Sequence, residues 1–512
     1  MMTSEAKGRH HRSAIGAGLL VGVLVFLFHL PFAPNSLFFD DAADYVRASD
    51  SSILSTWLNT NSASPTELWK LRGDDSFRSH PWDYLYMRGD NAALRHFHSP
   101  VSYYPLHLMR VVSKSAQPER LLTSLVSSIT CAVIVVALAG FSVPLPLAAL
   151  LGLLVGLQSR YIEPSVDPTP HTWYMLFALV FLCLFLRYLL TRMNRDLYFA
   201  AAALALTFAT LEFCVELFAT VVFSLFLIAF FARSYLPEWP AARKPMGKAF
   251  ALFMAITLLL WPGGWLRGGY LECYGFNTGL VLLKNRTTYG AKPTAGALYH
   301  ILFAGHAMLV PIAGLCLAGF AVLLVLRRLS APAIVFGSYT LAAFALGVAD
   351  HFRQNTYISE FLLFLIATAG LVMADLAGTL CTRPFTRRVA LSLAALVVAA
   401  GCFSEWEQRG TGLEFRPWLA PIFSSIRAQV PPGSTLLVTD DWEALWLYLP
   451  EYRFEPTTAK NSSAPRSPLR TVQIRYYLFD GAVAPPAGSS SVAVLSTYPG
   501  RTEVLWRAAG GN

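Results

Sequence analysis

Two adjacent carboxylates, Asp40 and Asp41, follow an apolar stretch at residues 14–33 that is long enough to cross a bilayer. Lys7, Arg9 and Arg12 precede that stretch and favour the cytoplasmic side, so the acidic pair is expected at the opposite face, at the lipid–water boundary. A carboxylate at that height can act as a general base between a lipid-borne head group and a water-borne acceptor. The same residues can equally be the start of the next polar helix, where Asp is a favoured cap. A second acidic group, Glu163 and Asp167, follows the third apolar run with Arg160 beside it. Two acidic clusters on one face suit a base together with a metal or sugar-hydroxyl contact. Simple pairing of Arg160 with Glu163 or Asp167 is the alternative, since charges at membrane depth are costly unless paired or solvated.

Cations complete the set. Lys284 and Arg286 lie in a polar loop, and Arg353 lies just beyond a later apolar run. Positive charge on the outer side runs against the usual distribution. Arg also matches phosphate through bidentate hydrogen bonds. Snorkelling, or an ion pair of Arg353 with Asp350, is the other reading. His98, Tyr103 and Tyr104 close the first large loop; interfacial anchoring explains the two tyrosines as readily as substrate contact, whereas His98, beside Pro100, shares its loop with the acidic pair and is less easily explained that way. There is no Walker motif, GxGxxG, HExxH or GxSxG in a sensible position, which argues against nucleotide-driven transport and against zinc or serine hydrolysis.

The elements that must hold these groups are membrane spans. Of 512 residues, 55% are hydrophobic and only 14% charged, against roughly 25% charged in soluble chains. The net charge of +9 does not point to nucleic acid, because the basic residues cluster in short gaps between apolar runs, as at Arg192 and Arg195, or Arg327 and Arg328. About eleven spans are expected: 14–33, 119–140, 143–159, 171–191, 197–211, 214–232, 248–262, 301–326, 332–350, 358–380 and 389–404. The stretch 197–231 is too long for one span and holds Glu212 and Glu216 in its middle. Splitting it near Glu212 keeps every basic gap on the cytoplasmic side, with the N-terminus inside and the C-terminus outside. The seven cysteines are scattered and support neither a disulfide framework nor a zinc site.

The expected organisation is a transmembrane region at 1–404, whose first extracytoplasmic loop is 34–118, and an extracytoplasmic α/β domain at 405–512. Within the loop, helical pieces are expected at 42–56 and 90–96. In the tail, helices are expected at 416–429 and 442–449, a turn at 431–433, and strands at 435–439, 473–479, 491–497 and 502–507.

This order of features resembles the C-type (GT-C) membrane glycosyltransferases, such as the dolichyl-phosphate-mannose protein mannosyltransferases and the aminoarabinose transferases. Phe39, Asp40, Asp41 and Ala42, followed by Tyr45, resemble the family's acidic motif after the first span. His98, Pro100, Tyr103 and Tyr104 resemble its His-Pro-Pro-Leu-Tyr-Tyr stretch, with Ser99 where Pro is usual. Glu119, Arg120, Leu121 and Leu122 resemble its Arg-Leu-Pro-Ser opening of the second span. Ser159 and Arg160, then Tyr174, resemble the loop between its third and fourth spans, although the acidic residues come later, at Glu163 and Asp167. Arg353 resembles its Arg-Tyr segment, without the Tyr.

The resemblance implies an all-α polytopic GT-C-like bundle in the inner or plasma membrane with a small outer α/β domain. It implies transfer of a hexosyl or pentosyl group from a polyprenyl-phosphate sugar to a lipid, glycan or protein acceptor of the cell envelope. Asp40 and Asp41 would be catalytic, and Tyr45, His98, Tyr103, Arg160, Glu163, Asp167, Lys284, Arg286 and Arg353 would contact substrate. No cofactor is certain, and a divalent cation stays open. Two other classes remain in view. A transporter or flippase for lipid-linked sugars predicts inverted repeats, and none is visible in the sequence. A non-enzymatic assembly protein has no need of clustered carboxylates at the membrane surface.

Overall fold

The computed structural model describes residues 4–33, 52–60, 98–113, 117–277, 294–303, 306, 308–349, 355–409, 419–438, 445, 449, 451–456, 475–480, 484–498 and 501–508. They fall into two compact units. One holds 4–33, 98–102 and 117–409, and the other holds 52–60, 103–113 and the residues from 419 on.

The first unit is a helical bundle. Every span expected from the sequence contains a helix: Ser4–His29, Gln117–Gly140, Leu145–Leu157, Pro170–Thr191, Asn194–Phe208, Cys214–Phe231, Trp239–Leu260, Leu309–Val325, Ala331–Ala349, Asn355–Leu380 and Pro384–Glu407. Among the described residues, seven helices are long and apolar enough to cross a membrane, or eight if a bent pair counts as one span. Length and apolarity alone thus qualify fewer helices than the eleven expected. Asn194–Phe208 and Leu309–Val325 are short, and Trp239–Leu260 carries Arg243, Lys244 and Lys248 in its first half.

Small residues let the first helices approach closely. A Cβ on Gly18 would stand 2.8 Å from the Ala132 carbonyl oxygen, and Gly22 faces Ser128 and Ala132 at 3.2 Å. This is the small-xxx-small contact that substitutes dispersion packing for a hydrophobic drive inside lipid. The opposite side of the first helix, with Leu19, Leu20, Val23 and Leu27, is exposed.

Three breaks shape the bundle. Leu145–Leu157 turns by 67° at Gln158 into the short helix Ser159–Val166, where the sequence suggested only a polar gap. Asn194–Phe208 and Cys214–Phe231 are separated near Glu212, where the charge pattern called for a split. Thr207 and Thr210 there donate back to the carbonyls of Ala203 and Leu206, a bond that loosens the end of a helix. The expected continuous span at 301–326 is instead divided into Ala295–Phe303 and Leu309–Val325, with His306 between them. The last helix runs to Glu407, beyond the expected end at 404, because Glu405 is buried against the bundle rather than solvated in the tail.

In the second unit, a helix covers Ile53–Leu58, at the end of the piece expected at 42–56; residues 42–51 and 90–96 lie outside the described residues. Its Thr56 bonds His107 of the helix Tyr103–Val112 at 3.1 Å. The C-terminal part is a five-stranded sheet of β1 (Thr435–Val438), β2 (Arg453–Pro456), β3 (Tyr476–Asp480), β4 (Ser490–Tyr498) and β5 (Arg501–Arg507), in the order β2-β1-β3-β5-β4. β1 is parallel to β2 and β3, and β5 is antiparallel to β3 and β4. β1 is wholly buried, as a parallel strand covered on both faces should be. Gly433 turns into it with φ +80°, and helix Leu419–Gln429 supplies Ile422, Phe423 and Ile426 to the same core. Strand β2 was not expected: it is four residues long, lies at an edge and ends in Pro.

Candidate active site

The short helix Ser159–Val166 carries the second acidic group. Arg160 and Glu163 are spaced to share one face, and Asp167 caps its end with its N–H on the Glu163 carbonyl at 3.1 Å. Tyr161, Ile162, Ser165 and Val166 are buried, while Arg160, Glu163 and Asp167 are half-buried. Ser124 donates to the Ser165 carbonyl at 3.0 Å and Tyr161 to that of Ser127 at 3.1 Å, so this helix is fixed against Gln117–Gly140.

One turn before Ser124, Arg120 donates to the carbonyl of Ala33 at 2.7 Å. Ala33 is the last described residue before the segment that carries Asp40 and Asp41. His29 bonds the Gly156 carbonyl at 2.8 Å, just before the bend. The point where the chain leaves for the first acidic pair and the helix bearing the second are thus fastened along one stretch of the same neighbouring helix.

The break at 208–216 gathers the remaining segments. His98 Nδ1 bonds the Glu212 carboxylate at 2.8 Å, with both groups buried. The Val101 N–H bonds the Ala209 carbonyl at 3.0 Å. Tyr274 donates to the carbonyls of Phe208 at 2.7 Å and Leu211 at 3.0 Å, and its ring stacks on Phe208. Tyr274 stands at the head of the loop that leads to Lys284 and Arg286. Phe213 meets the rings of His171 at 4.9 Å and Tyr357 at 5.1 Å, and those two meet each other at 5.6 Å. His171 follows Asp167 closely in the chain, and Tyr357 opens the helix that follows Arg353.

Deeper in the break, Glu216 and Glu360 face each other, Tyr339 bonds Glu360 at 2.5 Å, and Tyr174 bonds both Tyr339 at 2.8 Å and the Phe213 carbonyl at 2.9 Å. A separate buried pair, His306 with Glu405 at 2.8 Å, reaches Ser159 through the other ring nitrogen at 3.4 Å.

Of the residues singled out in the sequence, His98, Arg160, Glu163 and Asp167 belong to this region. Tyr103 is buried at the start of its helix in the second unit. Asp40, Asp41, Tyr45, Lys284, Arg286 and Arg353 lie outside the described residues. Sequence reading missed Glu212, Glu216, Glu360, His171 and His306 as site groups. Ionisable residues inside otherwise apolar runs were the available signal. Among the described residues, no three His, Cys, Asp or Glu side chains converge on one point.

No protein-family model and no curated protein sequence matches the chain. The crystal structure of ArnT from Cupriavidus metallidurans in the apo state, an aminoarabinose transferase, superposes with a TM-score of 0.59 over 97% of this chain and 98% of that one, at 14% identity. The protein shares the fold of ArnT: a polytopic helical bundle with a small C-terminal sheet.

Proposed function

We propose that the protein is a membrane glycosyltransferase that moves a sugar from a polyprenyl-phosphate donor to a hydroxyl acceptor at the extracytoplasmic face. The observation that carries this reading is convergence: within a GT-C fold, the elements adjoining both acidic groups, Lys284 and Arg286, and Arg353 dock on the Ser159–Val166 helix, on the Gln117–Gly140 helix that holds it, or on the break at 208–216. The reaction is a direct displacement at the anomeric carbon. Asp41 or Asp40 takes the acceptor hydroxyl proton as the acceptor oxygen bonds to that carbon. The bond to the lipid phosphate breaks, and Arg353, Lys284 or Arg286 stabilises the departing charge. Glu163, Asp167 and Arg160 contact sugar hydroxyls, and His98, fixed by Glu212, holds the end of the loop that carries the base. The membrane keeps donor and base at one height, which supplies part of the orientation.

The test is transfer from polyprenyl-phosphate pentose or hexose in reconstituted vesicles. Asp40→Asn and Asp41→Asn are each expected to lower turnover roughly 100-fold or more, with membrane insertion intact. Arg353→Lys is expected to weaken donor use, because Lys keeps the charge but loses the fork. Normal transfer by both Asn variants would reduce the acidic pair to a helix start.

A further inference from the structure

The Glu216–Glu360 pair has a shortage of hydrogens. Three contacts run in series: Glu360 to Tyr339, Tyr339 to Tyr174, and Tyr174 to the Phe213 carbonyl. A full bond at each takes one hydrogen between its two oxygens, and the two tyrosines supply only two unless one is shared. The Phe213 carbonyl is an acceptor and supplies none. A proton on Glu360 closes the series: Glu360 donates to Tyr339, Tyr339 to Tyr174, and Tyr174 to Phe213. Independently, Glu216 Oε2 is buried and, among the described residues, has no hydrogen-bond partner. Both carboxyls are buried, Glu216 at 7% exposure and Glu360 at 2%.

Toward the pair, the Cys214–Phe231 helix brings Cys214, and the break brings Glu212, already bonded to His98. The Pro170–Thr191 helix brings Tyr174 and His171, Ala331–Ala349 brings Tyr339, and Asn355–Leu380 brings Tyr357. Among the described residues, no Lys or Arg pairs with either carboxylate. Two unpaired negative charges in such a place would be prohibitively costly.

We propose that Glu216 and Glu360 form a buried proton-binding site that holds at least one proton and fastens the 208–216 break to the Ala331–Ala349 and Asn355–Leu380 helices. Binding the proton closes the hydrogen-bond series that ends at Phe213. Losing it opens that series and leaves negative charge that only loosening of the break, or entry of a cation, can relieve. The site rests on the bundle geometry and not on the proposed glycosyl transfer, so either can fail without the other.

Infrared spectroscopy of the full-length protein in lipid nanodiscs reads the proton directly. A protonated-carboxyl C=O band is expected at neutral pH, sensitive to exchange into D2O and lost in Glu360→Gln or Glu216→Gln. Thermal melting gives the second readout. Gln mimics the protonated carboxyl, so Glu360→Gln is expected to keep the melting temperature and flatten its fall at alkaline pH, whereas Glu360→Ala lowers it. A spectrum in which neither Gln variant removes a protonated-carboxyl band overturns the proposal. So does a Gln variant as unstable as the Ala variant. A wild-type melting temperature raised by Na+ or K+ but indifferent to pH would also overturn it, by showing a metal cation in the proton's place.

Discussion

Two buried imidazole–carboxylate pairs among the described residues of the bundle have the same geometry and are used differently. His98–Glu212 and His306–Glu405 both close at 2.8 Å, and each has one partner in a break between helices. In the first, the carboxylate sits in the break and the imidazole ends a long loop. In the second, the imidazole sits in the break, the carboxylate belongs to a regular helix, and the second ring nitrogen reaches Ser159. The first pair therefore sets where a loop re-enters the bundle, and the second sets where one helix begins. A bond length does not distinguish the two jobs. The freedom of the chain on either side of the bond does.

The comparison is broken most directly by truncating each carboxylate. Removing one partner of a buried pair costs about 3–5 kcal/mol, so Glu212→Ala and Glu405→Ala are both expected to lower the melting temperature clearly. They should part in transfer rate per folded molecule. Glu212→Ala is expected to fall by roughly 100-fold, the scale of a misplaced reacting group, and Glu405→Ala by only about ten-fold, through Ser159 and the neighbouring Arg160. Equal losses would mean that both pairs are purely structural.

A smaller effect sharpens the same contrast at the other end of the loop. Arg120→Met removes the bond to the Ala33 carbonyl, a hydrogen bond to a charged group worth about 1.5–3 kcal/mol. Turnover is expected to fall with it, while the pH dependence of melting stays unchanged. An unaltered turnover would show that the start of the acidic loop needs no fixing.

The smallest effect comes from a pair at the surface. Arg427 donates to Glu451 at 2.7 Å beside the C-terminal sheet and holds that carboxyl below its usual range. A depressed carboxyl stabilises the fold above its unfolded value, near pH 4.5, and that contribution fades as pH falls through the lower folded value. Both side chains are partly exposed to solvent, so Glu451→Gln is expected to cost only about 0–1 kcal/mol at neutral pH and nothing in strong acid. Melting curves across that range check the sign.

Much of the bundle was legible because lipid imposes a simple rule: an apolar run of sufficient length is a helix. The split near Glu212 was legible from charge alone, since a single span would have put the later basic gaps on the wrong side. What that split is for was not legible. Glu212 and His98 are 114 positions apart, and nothing local to either announces the other. Glu405 read as tail because a carboxylate after an apolar run normally marks exit into water. Only the buried His306 reverses that meaning. Strand β2 was hidden for the opposite reason. Its residues have weak preferences, and it exists because β1 offers it an edge.

The close seat of Gly18 and Gly22 on the Gln117–Gly140 helix has a consequence for biogenesis. The first helix emerges from the ribosome long before the helix it docks on, with the whole first loop synthesised in between. It must wait in the bilayer as a solitary span, with its leucine-rich side in lipid and its glycine groove unfilled. His29, which ends bonded to Gly156, must find interim solvation at the head-group level. Larger residues at Gly18 and Gly22 would leave that waiting span well inserted and would fail later, when the hairpin partner arrives and finds no room. Such variants should accumulate as membrane-integrated chains that are open to protease at the first loop, a lesion of assembly rather than of insertion.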